Sequence, residues 1–430
     1  MIFKTLFTVV CLAQAFVSGA QQKVPPKPRI LISTDIGGTD PDDNQSFTHF
    51  LMYSDLFNTE GLISSPSYGL GNKRDLLRMI DLYEADLPKL KKKKADFPSA
   101  ASLRSVCKQG RLGAAPFKGF TTATEGSDWI IKCAKKKSKQ PLWVLVWGGL
   151  EDVAQALHDA PGIQENIKIY WIGGPNKKWS TNSYAYIVQN FPNLWFIENN
   201  SSYYGFFSDK NVNDSLDFRN FYQNHIKGAG ALGPDFIKYY KGNIKMGDTP
   251  SLLYMMHGEP GDPYKESWGG KFGKMTYSPR IIFNRNSDIT DTVTVCALLE
   301  FHFRGPVIQT PTDSSCFIMS VKAKIGEQNW PGYYLGNGNY VVRYCPKQAE
   351  TISYRIHSTV QGFKEQSGQF VVDNYWPGKS RNSNYNLGAN WYTDLSDLEL
   401  YDNIHQGAKT VLRWRSDVLA DWAKRWAWLK

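Results

Sequence analysis

Arg29-Ile30-Leu31-Ile32-Ser33-Thr34-Asp35-Ile36-Gly37-Gly38-Thr39-Asp40-Pro41-Asp42-Asp43-Asn44-Gln45 passes from a branched apolar run into an acidic, glycine-bearing turn and then into a helical pattern. The first six residues have the character of a buried strand, which stops at Asp35. A helical period follows from Gln45 to Leu56. The same alternation recurs downstream: Gly61 to Ser65 reads as a second strand and Lys73 to Ala85 as a second helix. Leu142 to Trp147, Ile167 to Ile172 and Asn193 to Ile197 read as further strands, with Leu150 to His158 as a helix. Near-continuous apolar strands separated by helices imply an α/β fold, a mostly parallel sheet covered on both faces. In such sheets ligands bind beyond the carboxyl ends of the strands.

Past about Arg304 the texture changes. Residues 305–385 are poor in helix formers, and Tyr340 to Tyr344, Thr351 to Ile356 and Gly368 to Val372 are β-type runs between Gly, Pro and Asn turns. Short strands at that spacing predict an inserted antiparallel β-sandwich. From Gly407 a helical period returns, with Val411, Trp414, Val418, Trp422 and Trp426 on overlapping faces. The expected organisation is therefore an α/β domain over 29–304, the β insertion over 305–385, and a C-terminal helical segment over 386–430 that packs back on the α/β domain.

At the other end, Thr5 to Val17 is apolar and is followed by Ser18-Gly19-Ala20, small residues suited to signal-peptidase cleavage. Residues 1–20 read as a signal peptide and 21–28, with Val24-Pro25-Pro26-Lys27-Pro28, as a proline-rich tether, so a secreted or periplasmic location is expected. No later stretch reaches the ~20 apolar residues of a membrane span. Of the 430 residues 42% are hydrophobic and 21% charged, which supplies core material and excludes fibrous and disordered classes. The formal charge of +10 gathers in Lys89 to Lys94 and Lys135 to Lys139, each at the end of an amphipathic stretch. Lysines there complement the helix dipole as a solvated face, so no nucleic-acid partner is inferred. Removing the leader leaves five cysteines, of which Cys316 and Cys345 are the expected pair in a strand-rich segment.

The acidic turn holds Asp35, Asp40, Asp42 and Asp43 within nine residues at a strand end. Such carboxylates repel one another unless a positive group sits among them, and glycines let the backbone wrap closely around it. A hard divalent cation with oxygen ligands answers both features, and Ca2+ tolerates the irregular geometry best. Helix capping alone, by Asp42 or Asp43, requires one acid rather than four. No Gly-x-Ser-x-Gly elbow, Walker loop or His-Glu-x-x-His motif is present.

This turn resembles the aspartate cluster of nucleoside hydrolases, and still more that of their cellulose-binding, nucleoside-hydrolase-like relatives. Trp147-Gly148-Gly149-Leu150-Glu151-Asp152 to Leu157, Trp171-Ile172-Gly173-Gly174-Pro175-Asn176, Gly247-Asp248-Thr249-Pro250-Ser251 with Ser267-Trp268-Gly269-Gly270, and Thr410 to Trp426 extend the match in chain order. The resemblance implies that Asp35 is both a Ca2+ ligand and the base that activates a water. It implies that Asp43 and Asp248 chelate the ion, that Glu151 offers its backbone carbonyl, and that Asp42 holds a sugar hydroxyl. Asn182 and Asn176 fall where sugar-binding groups are expected, and Trp268 is a candidate stacking surface for a sugar ring.

The chain departs from the hydrolase pattern in ways that bear on substrate. Ser33 replaces the first aspartate, an insertion lengthens the turn and leaves Asp40 without a role, and Gly247 stands where some nucleoside hydrolases carry a histidine acid. The ribose-clasping Glu-Phe-Asn motif is not recognisable. His257, Glu259 and Glu125 are candidate replacement acids that read more simply as structural residues. The expectation is an exported, Ca2+-dependent hydrolase of glycosidic bonds acting on a carbohydrate or glycoside other than a nucleoside. A non-catalytic glucan-binding protein and a nucleoside N-ribohydrolase are the alternatives.

Overall fold

Every residue of Arg29–Thr34 is buried in the computed structural model, which describes residues 26–67, 69–207 and 218–430. The expected signal peptide, and the tether up to Pro25, lie outside the described residues. Seven strands come first: β1 (Arg29–Thr34), β2 (Asn58–Ser64), β3 (Cys107–Gln109), β4 (Leu142–Val146), β5 (Ile167–Ile172), β6 (Trp195–Asn199) and β7 (Phe272–Lys274). They are followed by β8 (Tyr277–Ser278), β9 (Arg280–Phe283), β10 (Thr292–Thr294), β11 (Leu298–Arg304), β12 (Ser314–Ala323) and β13 (Gly326–Gly336). The last are β14 (Asn339–Tyr344), β15 (Thr351–Ser358), β16 (Gln366–Asp373), β17 (Tyr385–Asn386) and β18 (Trp391–Asp394).

The first sheet has the order β3-β2-β1-β4-β5-β6-β18-β7. Its pairings are parallel from β3 through β18, and β7 closes the edge antiparallel to β18. Successive residues of one strand point to opposite layers: Ile30 and Ile32 join one apolar cluster and Leu31 the other, as do Leu145 against Val144 and Val146. Both faces are therefore covered, which explains why these strands are apolar throughout. The chain runs outward from β1 through β2 to β3, then returns to lay β4 on the other side of β1. That reversal opens a crevice beyond the carboxyl ends of β1 and β4, the place where open α/β sheets bind ligands. Asp35 and Trp147 are the first residues past those ends.

The second sheet has the order β10-β16-β15-β12-β13-β14-β11-β9 and is antiparallel apart from its two edge pairings. It closes on itself: Phe301 of β11 lies 5.0 Å from Tyr354 of β15 and 5.9 Å from Phe370 of β16, near the other end of the strand order. One apolar cluster fills the space between. The sheet takes up β9 and β11, upstream of residue 305, because short apolar runs such as Arg280–Phe283 have the same pattern whether a parallel or an antiparallel sheet buries them. The chain re-enters the first sheet at β18, so the β unit is inserted into the α/β unit. The helix Arg415–Trp426 then packs Trp422 against Phe221 and Phe236.

Cys316 and Cys345 do not pair. β13 lies between β12 and β14, which keeps the two residues two strands apart, and all five described cysteines are free. Cys345 instead faces Cys296, whose thiol is pushed up by that neighbour and by burial. Among the described residues no helix is long and apolar enough to cross a membrane.

A buried ion pair joins strand and helix behind the crevice. Lys177 and Glu198 are fully buried, with Nζ donating to Oε1 at 2.7 Å. Glu198 also accepts from the Tyr184 hydroxyl (2.7 Å) and the Asn200 amide (2.8 Å). Tyr184→Phe withdraws a hydrogen bond from a buried charge, which is expected to cost about 2 kcal/mol. A fall in the urea midpoint at unchanged m-value checks this.

Candidate metal centre

Asp35 ends β1, and the turn after it is held by Gly38 N–H donating to the Asp35 carbonyl at 2.9 Å. Gly37 has φ +86°, and a Cβ there would meet Asp75 Oδ2 at 2.4 Å, so glycine is required for this turn. Pro41 precedes the helix Asp42–Tyr53, whose first turn carries Asp42 and Asp43. Asp248 arrives from far along the chain at the start of the helix Thr249–Met256. Three helix and strand ends therefore deliver the acids to one place. A Cβ on Gly148 would sit 2.8 Å from the Asp35 Cβ, so the turn after β4 can approach β1 this closely only with glycine.

One carboxylate oxygen from each of Asp42, Asp43 and Asp248 lies within 4.8 Å of the others. Asp35 lines the same cavity, of about 140 Å³, and its carboxyl hydrogen-bonds that of Asp43. Thr34 Oγ1 also donates to Asp43. Burial pushes Asp35 up to about 6, with a further rise from Asp40. Burial together with Asp40 and Asp35 pushes Asp42 up to about 7 against the pull of Lys245. Asp43 and Asp248 rise well above the usual carboxylate range through burial and mutual repulsion. Asp248 Oδ2 is buried with no hydrogen-bond partner. An orphaned carboxylate oxygen among other carboxylates, with oxygen donors alone, fits a hard divalent cation.

Asp40 finds its partners here: its carboxylate takes hydrogen bonds from Lys245 Nζ and the Tyr240 hydroxyl. Lys245 also lies 3.6 Å from Asp42 and is the cation beside the cluster. Tyr203, Tyr204, Phe207 and Lys245 line the cavity and were not singled out from the sequence. Tyr203 and Tyr204 follow the end of β6, and Lys245 precedes Asp248 by three residues. The strand-end rule and simple adjacency were the available signals.

The remaining expected site residues divide. Asn176 lines the cavity, with Nδ2 donating to the Trp147 and Ile172 carbonyls (2.8 and 3.0 Å) and Oδ1 accepting from Ser67 (2.6 Å). Glu151 heads a helix and lines a separate cleft, not the aspartate cavity; its side chain accepts from Ser180 Oγ at 3.0 Å, and burial pushes it up to about 8 against the pull of that hydrogen bond and of Arg111. Asn182 lies in a separate cleft beside the β unit. Trp268 does not line the aspartate cavity; it stacks on His257 with ring centres 4.9 Å apart. His257 is exposed, Glu259 pairs with Lys265, and Glu125 pairs with Lys73, so none of these acids reaches the cavity.

A family model described as cellulose-binding Sde182, nucleoside hydrolase-like domain, matches residues 29–272, and a domain of unknown function, DUF5060, matches residues 292–359. No curated protein matches the chain. Among solved structures, the chain is similar to a nucleoside hydrolase-related hypothetical protein from Saccharophagus degradans that is associated with carbohydrate metabolism. The two share 18% identity over 81% of this chain and 100% of that one, with a TM-score of 0.48. It is also similar to an inosine-uridine preferring nucleoside hydrolase from Bacillus anthracis (16% identity, 59% and 86% covered, TM-score 0.35). A purine-preferring ribonucleoside hydrolase from Gardnerella vaginalis gives 14% identity, 58% and 84% covered, and a TM-score of 0.36.

Proposed function

Because the chain belongs to the family of cellulose-binding Sde182 nucleoside hydrolase-like domains, we propose that it is an exported, Ca2+-dependent hydrolase of glycosidic bonds. The observation that carries this reading is the buried, unpartnered Asp248 Oδ2 among the carboxylates of Asp42 and Asp43. Those three side chains, with Asp35 beside them and the Glu151 carbonyl, would hold the ion. A bound Ca2+ supplies the positive charge the cluster lacks and makes a neighbouring water more acidic.

Asp35 takes the proton of the attacking water at its carboxylate. Its position past β1, fixed by the turn and by Gly148, keeps that carboxylate at the cavity wall. Asp42 accepts a hydrogen bond from a sugar hydroxyl and sets the ring against the base. Asn176 has both Nδ2 protons committed to carbonyls, so what it offers a sugar is the free lone pair of Oδ1. Attack by water in a single displacement breaks the bond from the anomeric carbon to the leaving group and inverts the configuration there; the departing group takes a proton from solvent, which in turn receives the one Asp35 releases. The description of the family as cellulose-binding, and glycine rather than histidine at position 247, support a carbohydrate as the substrate.

The test is direct. Purified full-length protein is analysed for bound metal, then assayed on a panel of aryl glycosides before and after chelation. Turnover that disappears with the chelator and returns with Ca2+ is the expected result. Cello-oligosaccharide binding without turnover of any glycoside would make the protein a binding module instead, and base release from inosine would make it a nucleoside hydrolase.

A further inference from the structure

Lys178 is a buried ammonium set among aromatic rings with no anion beside it: its Nζ lies 5.3 Å from the ring centre of Trp179 and 5.4 Å from those of Trp330 and Tyr344. It is 1% exposed, and its ammonium donates to the neutral Gln328 Oε1 at 2.5 Å, with no ion pair to a carboxylate among the described residues. The adjacent Lys177 has Glu198, and the nearby Arg343 has Glu300 at 2.8 Å. Removing an ammonium from water without an anion is costly, and the cost is recovered when an anion arrives. Burial and the neighbouring cation Lys347 push Lys178 down to about 8, while Glu350 pulls the other way, so it remains charged at neutral pH.

Lys178 lines a cleft of about 160 Å³ between the two units. Glu151, Trp179 and Asn182 come from the α/β side, and Asn329 and Trp330 of β13 with Arg343 of β14 come from the inserted sheet; burial pushes Glu151 up to about 8, so its carboxyl is mostly neutral at pH 7 and does not repel an anion. Neither unit forms it alone. Trp179 and Trp330 stack with ring centres 4.7 Å apart and planes 25° from parallel. Trp179 is half-buried at the cleft wall. Trp330 is 7% exposed, and its indole Nε1–H is buried without a hydrogen-bond acceptor. An aromatic platform, an unsatisfied donor and an unbalanced cation together describe a sugar ring with an acidic substituent. Ser67 lines this cleft and donates to Asn176 in the aspartate cavity, so the two sites adjoin.

We propose that the junction cleft is a second saccharide subsite, selective for a sugar unit bearing an anionic group, a uronate carboxylate or a sulfate ester, seated on the Trp179–Trp330 pair with its anion on Lys178. The proposal shares with the function above the premise of a saccharide ligand, and it does not depend on turnover.

Calorimetric titration of the full-length chain at pH 7 compares oligogalacturonate, a sulfated galactan oligosaccharide and a neutral cello-oligosaccharide. At least one acidic probe is expected to bind about tenfold more tightly than the neutral one, and which of the two does so identifies the anion. Lys178→Met, which removes a buried charge and so should fold, is expected to erase that preference and spare the neutral affinity. Asn329→Asp, at an exposed position, provides an independent arm: it should weaken the acidic probe several-fold and leave the neutral one unchanged. Equal affinity for acidic and neutral probes, or acidic binding insensitive to both variants, overturns the proposal. Binding is repeated with chelator and in Asp35→Asn. Persistence assigns it to the junction cleft even if no glycoside is turned over, and loss assigns it to the aspartate cavity and overturns the subsite.

Discussion

Adding Ca2+ to the chelated protein is expected to raise its thermal midpoint, by more at pH 8 than at pH 5. Without an ion, the folded state raises Asp35 to about 6 and Asp42 to about 7, and Asp43 and Asp248 well above their ordinary values. In the unfolded chain these groups titrate near 4. A folded pKa above the unfolded one means that the folded state retains protons the unfolded state has released. The contribution of Asp35 and Asp42 to stability is therefore whole below about pH 4 and is lost as pH rises through 6 to 7, and Asp43 and Asp248 act in the same direction. The ion does the work of those protons, so its affinity climbs over the same interval. At a hundredfold excess over Kd the gain is about 2.7 kcal/mol. Asp248→Asn should abolish this response. The same substitution in ion-free protein at pH 8 should be neutral or stabilising, because it removes a buried, unpartnered charge. An equal Ca2+ response at pH 5 and pH 8, or a full response in Asp248→Asn, would remove the ion from the site.

The acids themselves were readable in the sequence because their grouping breaks a rule. A run that should bury itself ends in Asp35, and like charges crowd the next turn. Asp248 was reached through resemblance; nothing local in Gly247-Asp248-Thr249 marks it, and the packing of the helix Thr249–Met256 against the helix Asp42–Tyr53 makes it a neighbour. Charge also misled. The runs Lys89 to Lys94 and Lys135 to Lys139 stand out in the sequence and lie on the surface as expected, whereas nothing in the sequence pattern marks Lys177 and Lys178, which are buried. Their burial depends on Glu198, 21 residues away, and on β13, about 150 residues away, and a linear pattern records neither. Asn182 shows the same limit. Its helix begins after the break at Ser180, which turns its side chain toward Arg343 and the inserted sheet and away from the aspartates.

Replacing Asp35 by asparagine is expected to lower turnover of a glycoside substrate by 10²–10⁴-fold, the range a positioned general base contributes, with little change in KM. The amide keeps the size of the carboxylate and its place against Gly148, so the cavity wall should be preserved. What is lost is the ability to take a proton from water. The variant also separates the two roles assigned to Asp35. If it acts mainly as the base, the Ca2+-induced rise in thermal midpoint should survive, because Asp42, Asp43 and Asp248 form the tight triad without it. If it is chiefly a ligand, turnover and the thermal response should fall together. The pH profile adds a second criterion. Asp35 titrates near 6 in the ion-free protein, and an adjacent cation must draw it lower. The acid limb of kcat in wild-type protein should therefore lie below pH 6, and the residual activity of Asp35→Asn should lack that limb. A variant that keeps both the limb and wild-type turnover would mean that the proton goes elsewhere, with Asp42, raised to about 7 in the ion-free protein, the next carboxylate to test.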